Sequence, residues 1–354
     1  MLLLRLIRLF RRVRQRKSIG ILIVLCLLAF SILGNAVCFL AFESGPDQQL
    51  GFDDAIWFSV VSITTIGYGD YFPRSAGGRL GAFFFVVILG LGTFTTFLGM
   101  AIDWSTDYIL RERRGMSTII AKNHILIVNF PSAARVAQLI QELQSDPQHA
   151  EREIVVVSDQ IQELPFNNHR VLFVHGPMLE QATYLRAKAL ECKMAIVLAT
   201  SYADVNSDAV VASIVAVINS VEPDIHIVAE CLNERHRLLF DSVHCDSIVF
   251  SMTISGNLLV QESQDPGVTQ LVETITSNVR GTTLFSTKVS EKNSELSYNE
   301  LAKKLLDEDI NLMCVCRDNE SLTSFVSLFP DVGDRAVYAA KQRHSWSELL
   351  TVAS

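Results

Sequence analysis

The chain has 354 residues, of which 49% are hydrophobic, and a formal net charge of -8. That length allows two or three domains, and the hydrophobic share is high for a purely soluble protein, so a membrane part is expected. Residues 1–122 hold 13 Lys and Arg against 8 Asp and Glu, whereas the remainder holds 17 against 30. An acidic C-terminal region repels nucleic acid, which excludes nucleic-acid binding, and a basic N-terminal strip suits an anionic membrane surface. The seven cysteines are an odd number and include no C-x-x-C pair, which argues against a disulfide framework and a zinc knuckle.

The first segment, residues 1–17, is basic and is predicted to be cytoplasmic. Arg5, Arg8 and Arg11 recur at every third position, as in a voltage-sensing helix. Only 17 residues precede the first apolar run, which is too few to build a sensor bundle. The sequence therefore favours a basic helix at the membrane interface.

Two apolar runs are long enough to cross a bilayer. Residues 18–42 and 80–102 carry no charge. At the helical rise, both exceed the roughly 30 Å of the hydrocarbon core. The first run is too long for a signal peptide and has no clean cleavage site. Basic residues precede the first span and follow the second, so both termini are predicted to be cytoplasmic in a multi-pass protein of the cell inner (plasma) membrane.

Between the spans lies a shorter apolar segment, residues 53–64, of about half the length needed to cross. It is predicted to enter the membrane and return. The stretch TIGYG, Thr65–Gly69, follows it. Non-helical backbone at membrane depth survives only where it lines a water-filled path. If successive carbonyls are to point at one axis, alternate residues need dihedrals that glycine allows and a Cβ disfavours. The stretch is therefore predicted to line a cation pathway.

The residues TTIGYGD, Thr64–Asp70, resemble the filter of the potassium channel family, in which four chains supply TVGYG loops. The resemblance implies a homotetramer in a lipid membrane that conducts K+ passively, and pore helix and filter at residues 53–70. It also implies that Tyr68 packs outward against the pore helix. Trp57 would donate its indole N–H to Asp70, so that Trp57, Thr64 and Asp70 support the filter. The selectivity filter itself would consist of Thr65, Ile66, Gly67, Tyr68 and Gly69.

The second span and the segment after it contain three further candidates. Gly90 matches the inner-helix glycine at which two-span channels are proposed to bend, and either a gating hinge or close helix packing explains it. Asp103 and Asp107 follow the span and would form acidic rings in a tetramer, which could concentrate cations at the inner mouth. Residues 18–102 are assigned to the pore domain and residues 103–121 to a linker.

From residue 122 short apolar strands alternate with amphipathic helices, which predicts a Rossmann-like lobe with a parallel sheet over residues 122–245. The turn after its first strand, residues 129–134, reads NFPSAA instead of the G-x-G-x-x-G that binds pyrophosphate. Asp159 ends the second strand, as a ribose-binding acid would. A single acidic residue there is more often a turn or a helix cap.

Joined to such a pore, the lobe resembles the regulator of potassium conductance (RCK) domain of ligand-gated prokaryotic channels. The resemblance implies crossover helices at 246–280, beginning with 246–261, and a small α+β C-terminal lobe at 281–354. Calcium-gated members use a carboxylate after His-Gly in the third strand and two more after the fifth. Here Pro177 takes the first position, and only Glu230 is retained. One carboxylate cannot supply the roughly six to eight oxygens that calcium takes, which weakens calcium as the regulatory ligand. The missing glycine fingerprint weakens an adenine nucleotide as the regulatory ligand.

Three functions stay open. The first is a K+ channel gated by a cytoplasmic RCK ring, and the second is a ring that serves as an assembly platform. The third is a membrane-tethered nucleotide-dependent enzyme, which the missing glycines and the lack of a catalytic cluster oppose. Met116 is a candidate internal start that would supply soluble RCK copies for an octameric ring. No catalytic residue is predicted. No metal site is predicted either, because the one group of neighbouring candidate ligands fits no familiar spacing: Cys231, His236, His244 and Cys245.

Overall fold

The computed structural model describes residues 17–45, 50–292, 296–318 and 320–352, with side chains from Gly20 onward. The basic segment predicted at 1–17 lies outside this range except for its last residue. The chain divides into two compact units, Met1–Arg111 and Glu112–Ser354.

The first unit is built from helices. Helix α1 is long and apolar, α2 is short, and the next helix runs without a break from Ala76 to Arg113. The segments Gly20–Glu43 and Ala76–Arg113 have the length and composition of membrane spans. Along the second of these, a π-helical stretch separates α3 from α4. The helical segments are α1 (Lys17–Glu43), α2 (Phe52–Ile63), α3 (Ala76–Ala82), the π-helix (Phe83–Gly90) and α4 (Leu91–Arg113).

The helix that contains the second predicted span is longer than that span. It starts at Ser75, whose hydroxyl accepts a hydrogen bond from the Gly78 amide and caps the helix. At its other end it continues past residue 102, because residues 103–113 contain neither proline nor glycine. Much of the segment assigned to a linker is therefore helical.

Helices α1 and α2 pack through a small apolar core and one buried polar contact. Ala36 and Phe39 of α1 meet Ala55 and Phe58 of α2. Beside them, the Asn35 side chain donates a hydrogen bond of 2.8 Å to the Ser59 hydroxyl, which itself donates to a carbonyl of α2. An interhelical hydrogen bond of this kind ties two membrane helices where lipid offers no alternative partner.

The second unit begins with a six-stranded parallel sheet in the order β3-β2-β1-β4-β5-β6. Every residue of β1 and β2 is buried, as expected for a parallel sheet covered by helices, whereas the edge strand β6 has no buried residue. The strands are β1 (Ile125–Val128), β2 (Ile154–Ser158), β3 (Val171–His175), β4 (Met194–Val197), β5 (His226–Cys231) and β6 (Ser247–Phe250). The covering helices are α5 (Ala133–Ser145), α6 (Gln181–Arg186), α7 (Ser207–Val221) and α8 (Arg237–Ser242).

The expectation of a helix over residues 246–261 is wrong at its start. Residues Ser247–Phe250 form β6, which pairs in parallel with β5 from Val228 to Cys231. The run SIVF is rich in β-branched and aromatic residues and has an open strand edge beside it. Helix α9 (Ser251–Gln264) begins only after this strand, and α10 (Val268–Ile275) follows.

A small α+β lobe completes the chain. Its antiparallel sheet has the order β7-β10-β8-β9 and packs against two helices. This confirms the predicted fold class: two apolar spans, an α/β domain with a parallel sheet, and a small C-terminal lobe. The elements are β7 (Thr283–Lys288), α11 (Tyr298–Leu306), β8 (Asn311–Arg317), β9 (Glu320–Leu322), β10 (Arg335–Ala340) and α12 (Trp346–Val352).

Candidate functional site

The stretch after α2 has an alternating backbone. Thr65, Gly67 and Gly69 have φ values of 61°, 58° and 77°, whereas Ile66 and Tyr68 are not among the residues with positive φ. Glycine adopts this region without a steric penalty, which accounts for two of the three positions. The alternation predicted from TIGYG is therefore present, and it extends to Thr65.

The end of α2 holds this stretch in place. The amide of Thr65 donates to the Ser62 carbonyl at 3.1 Å, and the amides of Ile66 and Gly67 donate to the Val61 carbonyl at 3.0 and 3.3 Å. The Thr64 hydroxyl donates to the Val60 and Val61 carbonyls at 2.8 and 3.3 Å. Carbonyls that a helix end leaves without partners are thus satisfied by the residues that follow it.

Trp57 on α2 contacts the stretch from the side. Its indole N–H donates to the Asp70 carboxylate at 2.8 Å. Its ring stacks on Tyr68, with centroids 5.8 Å apart and an interplanar angle of 6°. Both contacts predicted for these side chains are present. Asp70 also accepts the amide of Tyr71 at 3.0 Å.

Two further contacts, which the sequence did not indicate, stabilise the loop that follows the stretch. The Tyr71 hydroxyl donates to Asp54 at 2.7 Å, and Asp54 also accepts the Gly51 amide at the start of α2. Farther along, the Glu43 carboxylate accepts both the amide and the hydroxyl of Ser75, at 2.8 and 2.6 Å. The sequence offered one signal for this, which is that acidic residues are concentrated between the spans.

Gly90 lies where the π-helix meets α4, and it is buried against its neighbours. A Cβ at this position would lie 2.6 Å from Ile63 Cγ1 and 2.8 Å from Ser31 Oγ. The Ser31 hydroxyl donates to the Phe85 carbonyl at 2.5 Å, within the π-helical stretch. Close packing therefore accounts for this glycine. A hinge role is compatible with the π-helix, since such stretches are frequent at functional sites.

Asp103 and Asp107 lie four residues apart on α4, and so on one face of that helix. Asp103 is exposed and Asp107 is partly exposed. The helix carries both residues beyond the predicted end of the span.

In the α/β domain, side chains of the domain bridge the crevice at the carboxyl ends of β1, β4 and β5. Asn129, with φ 76°, follows β1 directly and donates to the Leu198 carbonyl after β4 at 2.7 Å. Glu230 is 5% exposed and accepts the Ala199 amide at 3.1 Å and the Tyr202 hydroxyl at 3.0 Å. Burial and the neighbouring Glu230 carboxylate raise the pKa of Tyr202.

Arg135 on α5 completes this bridge with an ion pair of 3.5 Å to Glu230. Side chains therefore occupy the crevice. Pyrophosphate would need open backbone where Asn129 reaches across. Calcium would have to displace the three partners of the Glu230 carboxylate.

Asp159 and Glu230 do not form one site. Asp159 is exposed directly after β2, and β1 and β4 lie between β2 and β5 in the sheet. Three of the four cysteine and histidine candidates have partners other than one another: His236 pairs with Asp208 at 2.8 Å, and the thiols of Cys231 and Cys245 donate to backbone carbonyls. Among the described residues no cluster of three or more His, Cys, Asp or Glu could hold a metal ion.

Comparisons with known proteins divide the chain at the same place as its fold. The family described as "Ion channel" matches residues 21–107. The family described as "Calcium-activated potassium channel slowpoke-like RCK domain" matches residues 121–229.

Relatives match over longer stretches. The calcium-gated potassium channel TvoK of Thermoplasma volcanium is 23% identical over 304 residues, which is 84% of each chain. The structure of the GsuK channel covers 94% of this chain at 17% identity, with a TM-score of 0.48, and this chain spans 57% of it. The human SLO3 gating ring covers 62% of this chain at 12% identity with a TM-score of 0.50, and this chain spans 44% of it. With an ion channel family matching residues 21–107 and an RCK domain family matching residues 121–229, the chain is similar to potassium channels in which a pore domain is followed by an RCK domain.

Proposed function

We propose that the chain forms a homotetramer that conducts K+ selectively through Thr65–Gly69. The observation that carries the proposal is the alternation of positive φ at Thr65, Gly67 and Gly69. Alternate left-handed residues turn successive carbonyls toward the same side of the backbone, so that they form a row of oxygens. Such a row can replace the hydration shell of a cation.

The hydrogen bonds behind the stretch support this assignment. Because the amides of residues 65–67 donate to the end of α2, they do not face the ion path. The carboxyl end of a helix carries a partial charge of about -0.5, and α2 ends directly before the stretch. A cation in front of these residues is therefore favoured and an anion is disfavoured.

Four copies are needed for a closed path. Within one chain Ile66 and Tyr68 are 57% and 66% exposed, so this stretch has an uncovered surface. One row of oxygens can contact a cation from one side only. Four rows around an axis would surround it and would cover the exposed side chains.

The experiment is K+ against Na+ flux into liposomes that contain the purified full chain. Gly67→Ala and Gly69→Ala should abolish selective K+ flux, because alanine at positive φ costs about 1–2 kcal/mol in each subunit. The matched control is Gly92→Ala, since a Cβ at Gly92 has nothing within 4 Å and its φ is not positive. Unchanged selectivity in both filter variants would refute the assignment.

The RCK domain is proposed to face the cytoplasm and to gate the pore as a ring. Calcium is the first ligand to test, because the relative TvoK is named as calcium-gated. The occupied carboxylate of Glu230 argues against calcium binding at that residue. Flux should therefore respond to calcium equally in the native chain and in Glu230→Gln. A response lost only in Glu230→Gln would assign calcium to this site.

The bridged crevice gives specific support to the alternative role of the ring as an assembly platform. Adding ADP or NAD should not change flux if Asn129 and Arg135 keep the crevice closed. A nucleotide-dependent change in flux would overturn this reading and would favour ligand gating through the crevice.

A further inference from the structure

The chain contacts the α/β domain almost immediately after helix α4 stops. Helix α4 ends at Arg113, and the Gly115 amide donates to the Glu112 carbonyl at 3.0 Å. Gly115 has φ 62°, the left-handed conformation with which glycine commonly ends a helix. One residue, Arg114, separates the helix from this glycine.

Gly115 is buried, and its carbonyl oxygen accepts two hydrogen bonds from the end of β3 and from α6. The His175 amide donates at 3.0 Å, and the Arg186 guanidinium donates at 3.3 Å. The same guanidinium donates to the His175 carbonyl at 2.6 Å. Arg186 therefore holds both backbones at once. We call Gly115, His175 and Arg186 the anchor.

Two glycines make this close approach possible. A Cβ on Gly115 would collide with the backbone nitrogen of His175 and would lie 2.9 Å from the Phe173 carbonyl. A Cβ on Gly176 would lie 2.5 Å from the Arg186 guanidinium. The His-Gly corner that the sequence compared with a calcium site thus provides the surface on which the chain entering the domain is held.

The residues after the anchor are also docked on the domain. The Ile119 amide donates to the Arg186 carbonyl at 3.2 Å, and the Asn123 amide donates to the Glu191 carbonyl at 2.8 Å. Ile119 and Ala121 are 8% and 3% exposed and belong to the core of the parallel sheet. The segment predicted as a linker is therefore helical up to Arg113, and after that its backbone is hydrogen-bonded to the domain at Gly115 and Ile119.

We propose that the anchor is the point at which the RCK domain acts on the pore. The inference rests on the proposed function, because it concerns how the domain gates K+ flux. A shift of the β3 edge moves the Gly115 carbonyl with it, and the single residue Arg114 gives α4 almost no slack. His175 and Arg186 are positioning residues that act on the pore through Gly115.

The first test adds slack on either side of the anchor in the full-length channel. Four residues, Gly-Ser-Gly-Ser, are inserted between Arg114 and Gly115, or between Ser117 and Thr118 as the matched control. Single-channel open probability in symmetric KCl should change at least about fivefold with the first insertion, which is the lower range of coupling between linked sites. The control insertion should leave it unchanged. Equal effects of the two insertions would overturn the proposal.

The second test removes the guanidinium and reads the anchor directly. Arg186→Met should change open probability in the same direction as the first insertion, without changing K+ over Na+ selectivity. Arg280→Met is the matched control, since Arg280 forms an exposed ion pair with Glu273 in the C-terminal region. Hydrogen exchange at the His175 amide should be slow in the native channel and faster in Arg186→Met.

The experiments distinguish a failure of the proposed function from a failure of the anchor. A native channel without selective K+ flux would refute the proposed function, while slow exchange at the His175 amide would still support the anchor. Exchange at that amide as fast as in an exposed loop would refute the anchor, whatever the pore conducts.

Discussion

Replacing Trp57 by phenylalanine tests whether the hydrogen bond from Trp57 to Asp70 stabilises the proposed filter, Thr65–Gly69. The variant removes the indole N–H, which donates to Asp70 at 2.8 Å, and keeps an aromatic ring to stack on Tyr68. Hydrogen bonds to charged groups contribute about 1.5–3 kcal/mol. Since Trp57 is 46% exposed in the single chain, we take about 1 kcal/mol for each subunit.

Four subunits together would lose about 4 kcal/mol if the four contacts are independent. Each 1.4 kcal/mol is a tenfold change in an equilibrium constant, so the balance between an intact and a collapsed filter should shift by roughly a thousandfold. We therefore expect Trp57→Phe to lower both K+ flux and K+ over Na+ selectivity.

Flux into liposomes and reversal potentials with K+ on one side and Na+ on the other measure these two quantities. Trp104→Phe is the control, because Trp104 lies on α4 and is 70% exposed. If Trp57→Phe conducts with native selectivity, the hydrogen bond from Trp57 to Asp70 does not stabilise the filter, and this prediction is refuted.

Three further predictions concern other parts of the chain. Gly90→Ala should lower the thermal stability of the tetramer in detergent, since overpacking costs about 1–3 kcal/mol, whereas Gly92→Ala should not. Asp334→Asn should destabilise the C-terminal lobe by about 1–3 kcal/mol, because it weakens the hydrogen-bonded ion pair between the buried Asp334 carboxylate and the partly exposed Arg317. Burial raises the pKa of Asp334, but its hydrogen bonds, with Arg317 foremost, hold that pKa below the usual 3.8. The pair therefore stabilises fully above this value and less as the pH falls through the lowered pKa, and Asp334→Asn should remove that acid dependence in thermal unfolding. An internal start at Met116 should give a second, shorter band in the purified complex, and one band near 39 kDa would exclude it.

The pore could be predicted from sequence because its signals are local. Span length, the half-length helix and the glycines at alternate positions are each visible within a few residues. The contact between Trp57 and Asp70 came from resemblance and is present. The hydrogen bond between Asn35 and Ser59 could not be predicted from the sequence. The two residues are 24 positions apart, and they meet only because of the way in which α1 packs on α2.

In the α/β domain, pairing with a neighbouring strand determines the secondary structure of one segment that the sequence pattern leaves ambiguous. The run at 247–250 is too short to distinguish strand from helix by its pattern. The edge of β5 makes it a strand, and that edge exists only in the folded sheet. The sequence indicates only one of the two roles of Gly115, because a single glycine after a helix predicts a helix end. Its second role depends on Arg186, 71 residues later.

The anchor also bears on where a regulatory ligand could act. In the sheet, β2 adjoins β3, and Ser158 at its end pairs with His175. The His175 ring contacts the Ile161 carbonyl in the loop after β2 at 3.0 Å, so the loop that carries Asp159 touches the anchor. Glu230 lies on β5, three strands farther from β3 than β2 is. A ligand shifts an equilibrium only by its differential affinity for two arrangements. The loop after β2 contacts His175 directly, so a ligand bound there could favour one arrangement of the anchor. Titration with calcium or ADP should therefore change exchange at the His175 amide if either ligand binds near Asp159. A ligand that changes flux without changing this amide would act by another route, through the crevice or the C-terminal lobe.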